Sequence, residues 1–73
     1  MNSTTKTYRL LSNDLVYTPG IIRMVQHQYQ FNPKWAIDLL HKAYALPKAI
    51  AKGVASKAIK HEVDGDTVII TVN

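Results

Sequence analysis

The stretch KAIAKGVASKAIKHEVDGD, residues 48–66, has two readings, and the fold depends on which one holds. In the first, Gly53 opens a turn and a second short helix follows it. In the second, residues 48–60 form one continuous helix with Gly53 in its interior. A glycine there costs about 1 kcal/mol relative to alanine, which is tolerable where it allows close packing. On the second reading Ile50, Val54 and Ala58 form the buried face, while Lys48 and Lys52, four apart, share an exposed one.

Working outward, Pro47 separates this segment from the one before it. Its ring clashes with an incoming helix and disfavours α geometry at Leu46. A preceding helix therefore starts at Asn32 as N-cap and Pro33 as first helical residue, and ends near residues 44–46. Ala36, Ile37, Leu40, Ala43 and Tyr44 make its apolar stripe. The same start signal occurs at Thr18 and Pro19, followed by Ile21, Ile22, Val25 and Tyr29 at helical spacing. Downstream, DGD supplies a tight turn and TVIITV is rich in β-branched residues, so the end reads as a β-hairpin. Val68 and Ile70 fall on one face of it, Ile69 and Thr71 on the other. Residues 7–12 carry a poor strand alternation. The polar start, residues 1–7, predicts a flexible tail. The expected fold is a small α+β domain over residues 8–73, with two or three helices packed on a C-terminal β-hairpin and a flexible N-terminal segment.

A chain of 73 residues is one domain. At this size the core supplies only about 3–5 kcal/mol, which leaves little room for a deep catalytic cavity. There is no cysteine, so disulfides and thiolate metal sites are excluded, and a reducing cytoplasm suits the composition. No apolar run approaches the roughly 20 residues that span a bilayer, and the polar start does not look like a secretory signal. Nine Lys and Arg against five acids give a net charge of +4. That surplus permits nucleic acid or an acidic protein as partner, and it also serves solubility.

Catalytic chemistry finds no support. There is no Gly-rich phosphate loop, no nucleophile elbow and no carboxylate pair in an apolar setting. His27, His41 and His61 fall in separate elements without metal-ligand spacing. Asp38 and His41, three apart on one helix, suggest a surface pair. No catalytic residue, metal or cofactor is expected. Trp35, in the first turn of the second helix, is either core or a half-exposed anchor. Tyr8 and Arg9, followed by Leu10 and Leu11, are of the kinds that dominate interface hot spots, and are the expected protein-contact residues. Lys34, Lys42, Lys48 and Lys52 make a basic patch that steers association.

Two resemblances bear on function. Ala49, Gly53 and Ile59 stand at helix-turn-helix spacings, and GVASKAI resembles the centre of that motif in Cro-like phage repressors. The order of elements is also similar. This implies a DNA-binding dimer in which Ser56, Lys57 and Lys60 face the major groove or phosphates. The sequence departs from that pattern in three ways. Lys52 occupies a place where that family has a buried aliphatic. The would-be recognition helix is short. Glu62, Asp64 and Asp66 would lie close to phosphate and oppose binding.

In length and overall character the chain resembles small phage-encoded transcription regulators that bind host RNA polymerase, inhibit initiation and promote antitermination. This second resemblance implies a non-enzymatic, monomeric partner of the polymerase large subunits in the cytoplasm of the bacterial host. An inhibitor of an unrelated host enzyme is a third reading.

Overall fold

The β-branched run TVIITV forms the central strand of an antiparallel sheet. The computed structural model describes residues 4–73. Strand β1 (Lys6–Leu10) precedes three helices, α1 (Thr18–Tyr29), α2 (Pro33–Tyr44) and α3 (Lys48–Ala55). The hairpin β2 (His61–Asp64) and β3 (Thr67–Val72) follows them. The strand order is β1-β3-β2, so the expected hairpin gains a third strand from the N-terminal side. The protein is a small α+β domain with three helices packed on this sheet.

Register decides which side of each strand meets the helices. Leu10 pairs with Val68, and Tyr8 with Ile70. His61 and Val63 face the same two residues from the other edge. Val68, Ile70 and Leu10 are buried, with Tyr8 packed against them. The alternate positions, Arg9, Ile69 and Glu62, form a row on the outer face. Ile22, Val25, Ala36, Leu40, Leu46, Ala51, Val54 and Ala55 complete the core from the helices. Ala58 and Ala43, expected in apolar stripes, are exposed.

The N-terminal expectation needs correcting. Of the predicted tail, residues 1–3 lie outside the described residues. Lys6 and Thr7 are not tail but strand, opposite Val72 and Thr71. The strand ends at Leu10, before the loop residue Leu11.

Both readings of residues 48–66 also need correcting. Gly53 opens no turn: it lies buried inside α3, which runs only to Ala55. Nor does the helix continue to Lys60. Ser56 caps it, and Lys57 takes a left-handed conformation at φ 70°. The Lys57 N–H donates to the Val54 carbonyl, and the Ile59 N–H donates to the Gly53 carbonyl at 2.9 Å, so the chain folds back over the helix end.

Helix starts follow the proline signals with one shift. Pro33 opens α2 after Asn32. Tyr17, not Thr18, is the N-cap residue of α1. Thr18 is instead fully buried, and its hydroxyl meets the Leu11 carbonyl and the Tyr44 hydroxyl, each at 3.0 Å. Those contacts satisfy a polar group that burial would otherwise penalise.

Candidate interaction surfaces

The first surface is built by the tight connection between α1 and α2. After Tyr29 the N–H groups of Phe31 and Asn32 both donate to the Gln28 carbonyl, and Pro33 starts the next helix at once. This leaves Phe31 outside the core at 65% exposure. Trp35 follows in the first turn of α2. The side of α2 carrying Ala36 and Leu40 is buried, and Trp35, off that side, stays 45% exposed. Three adjoining shallow depressions meet at the indole. Met24, Gln28 and Asn32 line the first, Phe31, Pro33 and Lys34 the second, and Leu39, Lys42 and Ala43 the third. Asp38 borders the last two. The His27 ring meets Phe31 edge-on with centroids 5.8 Å apart. The result is an exposed apolar face flanked by two lysines.

The second feature is the junction of α2 and α3. Ala45 adopts the left-handed region at φ 58°, Leu46 is buried, and Pro47 precedes α3. His41 Nδ1 lies 2.6 Å from the Leu46 carbonyl. A carbonyl only accepts, so Nδ1 carries the proton. His41 thus bridges the turn; no hydrogen bond joins it to the expected partner Asp38 among the described residues. Two helices joined by residues 45–47 are a helix–turn–helix in the plain sense. Its second helix is α3, not the segment after Gly53. Lys48, Ala49 and Lys52 are exposed on α3. Lys52 therefore carries no burial cost. The four lysines expected to form one patch divide between the helices: Lys34 and Lys42 flank the Trp35 face, and Lys48 and Lys52 lie on α3.

The third surface brings together residues from three elements. Gln26 of α1 donates from Nε2 to the Val54 carbonyl at 3.1 Å, fastening α1 to the end of α3. One groove beside this contact is lined by Arg23, Gln26, His27, Tyr29, Gln30, Ala55, Ser56 and Lys57. A second shares Gln26 and Lys57 and continues past Ile59 to Lys60 and His61. Ser56, Lys57 and Lys60, expected on a recognition helix, sit instead in the helix cap and the connection to β2. Sequence reasoning missed Arg23 and weighed His27 only as a metal ligand, because only the packing of α1 against α3 places them beside Lys57.

The N-terminal contact set does not share one face. Leu10 is a core residue at 3% exposure, and Leu11 beyond the strand is 68% exposed. Tyr8 is half-buried and points to the helices, with Lys6 Nζ 5.3 Å from its ring centroid. Arg9 is exposed on the outer face of the sheet. The loop after β1 also exposes Leu15 and Tyr17. Asn13 shapes that loop, its Oδ1 accepting from the N–H groups of Leu15 and Val16 at 2.8 and 2.9 Å.

Among the described residues no group of three or more His, Cys, Asp or Glu is placed to hold a metal ion. Among the same residues no helix is long and apolar enough to cross a membrane. Comparison with protein-family models, curated proteins and solved structures finds no match to this chain.

Proposed function

We propose that this chain is a non-enzymatic transcription regulator that acts by binding the large subunits of a bacterial RNA polymerase, altering initiation and termination. The observation that carries the protein-binding part is the Trp35 face. Trp dominates interface hot spots, Phe and Met are enriched in interfaces, and here Trp35 and Phe31 stand in the open beside Met24. An exposed apolar face of this kind supports a reading as a partner site. Lys34 and Lys42 at its rim favour an acidic partner segment and speed its docking. Polymerase as that partner rests on the resemblance to phage-encoded regulators, in which the host enzyme is redirected by a small bound protein. Arg9 and Leu11 remain available as a second contact. Leu10 does not, because reaching it would open the core.

The test is a pull-down from bacterial lysate with the purified protein as bait and nuclease added. Recovery of the polymerase large subunits despite nuclease, and their loss with Trp35→Ala, supports the reading. Recovery of DNA fragments alone, and only without nuclease, overturns it.

A second reading, a Cro-like DNA-binding repressor, is favoured by one observation, the α2–α3 helix–turn–helix with Lys48 and Lys52 exposed. Base contact would then come from the start of α3, and the protein would act as a dimer. Selection of bound sequences from a random duplex pool, lost with Lys48→Ala and Lys52→Ala, distinguishes it.

A further inference from the structure

We propose that the groove between α1 and the α3–β2 connection is a binding site for the phosphate backbone of duplex DNA, independent of sequence. The site goes beyond both readings above, since it requires neither a polymerase nor an operator. Its basis is a juxtaposition. Arg23 from α1, Lys57 from the helix cap and Lys60 from the connection line two continuous grooves that share Gln26 and Lys57. His27 lines the first groove and His61 the second, and the Ser56 hydroxyl, which donates to the Gly53 carbonyl at 3.3 Å, borders the first. Arginine and lysine are the donors that most often contact phosphate in protein–DNA complexes.

Among the described residues no carboxylate lines either groove. Glu62 is next to His61 in sequence, but it pairs with Ile69 on the outer face of the sheet while His61 pairs with Ile70 on the inner one. Asp64 and Asp66 flank the hairpin turn, Asp38 lies on α2 and Asp14 in the first loop. The acids that weigh against a recognition helix running to residue 63 are therefore outside this site.

A second observation is independent of charge. Lys57 holds φ 70°, a conformation that helix caps usually give to glycine or asparagine. Strained backbone of this kind collects at functional sites. Here it sets a lysine at the point where the two grooves meet. Beside it the Gln26–Val54 hydrogen bond ties α1 to the end of α3, so the two walls of the groove are joined.

The chemistry favours duplex DNA over the other polyanions. Single-strand sites stack bases on exposed aromatic rings. Among the described residues the only aromatic side chain other than histidine that lines these grooves is that of Tyr29, which is half-buried. Acidic protein partners dock on apolar anchors, and none of the exposed large hydrophobic side chains lines either groove.

Fluorescence anisotropy with a labelled short duplex of arbitrary sequence tests the site. Three neutralised phosphates give a slope of log affinity against log salt of about −2.7, so affinity falls about forty-fold between 50 and 200 mM salt. Arg23→Ala, Lys57→Ala and Lys60→Ala each make that slope shallower by about 0.9. Lys34→Ala and Lys42→Ala remove the same charge elsewhere and leave the slope unchanged. Lys57→Gly keeps the left-handed cap and removes the side chain with its ammonium, so it loses affinity in a fully folded protein. The proposal is overturned if the wild-type protein binds no duplex at 50 mM salt. Equal losses from the Lys34 and Lys42 variants overturn it too, since net charge alone would then act. So does tighter binding to single strands than to duplex.

Discussion

The Ile59 side chain lies across Gly53, where a Cβ on the glycine would stand 2.3 Å from Ile59 Cδ1 and 2.6 Å from its Cγ1. The same two residues are joined through the backbone, Ile59 N–H to Gly53 carbonyl. The contact seals the end of α3 and turns the chain toward β2. Gly53 is needed for close approach at this point, not for a turn.

Gly53→Ala accordingly destabilises the protein. Overpacking costs about 1–3 kcal/mol, and the gain in helix propensity returns about 1 kcal/mol of it. In an Ile59→Ala background the clash is gone, so the same change becomes stabilising. Denaturant titration of the four variants reads this reversal of sign. Additive effects would show that Ile59 does not sit on Gly53 in solution.

Ala45 stands at φ 58° between α2 and α3. An L side chain in that region costs about 1–2 kcal/mol, and glycine removes most of it. Ala45→Gly is therefore expected to raise stability by about 1 kcal/mol, measured as a higher denaturation midpoint. Lys57→Gly should stabilise by a similar amount for the same reason while weakening duplex binding. A loss of stability in either variant argues against the left-handed conformation.

Adjacent leucines at the end of β1 separate sharply. Leu10→Ala empties a core position and costs about 2–4 kcal/mol, close to the whole stability of a domain this small. Leu11→Ala, on an exposed side chain, changes stability by no more than about 0.5 kcal/mol. Thermal melts of the two variants check the assignment. Similar melting temperatures would contradict the register of β1 against β3.

The exposed aromatics behave in the opposite way to Leu10. Phe31→Ala is expected to leave stability within about 0.5 kcal/mol. It should still weaken partner capture by about thirty-fold, the effect of losing one interface hot spot worth about 2 kcal/mol. Trp35→Ala weakens capture at least as much, with a larger stability cost because the indole is half-buried.

Much of the fold was legible in sequence because its signals are local. Pro19, Pro33 and Pro47 mark where helices begin, and DGD with TVIITV marks the hairpin. The differences between sequence and structure share a cause, which is that local spacing does not settle a tertiary question. Gly53 and Ile59 do stand six apart for a structural reason, but the reason is a side chain packed over a helix end. β1 alternates only at Tyr8 and Leu10, and Leu11, just outside the strand, masks that pattern. The surfaces were less legible than the fold. Arg23 and Gln26 carry no motif, and only the packing of α1 on α3 brings them to Lys57 and Lys60. Trp35 is visible in the sequence as either an anchor or a core residue, and its place off the buried side of α2 excludes full burial in the core.

The most direct measurement is a titration of purified bacterial RNA polymerase into the labelled protein, free of nucleic acid, repeated with Phe31→Ala, Trp35→Ala and Lys57→Ala. Saturable binding by the wild-type protein, lost with Phe31→Ala and Trp35→Ala and kept with Lys57→Ala, is the predicted result. No binding, or binding indifferent to both aromatic substitutions, would contradict a polymerase-binding role for the Trp35 face.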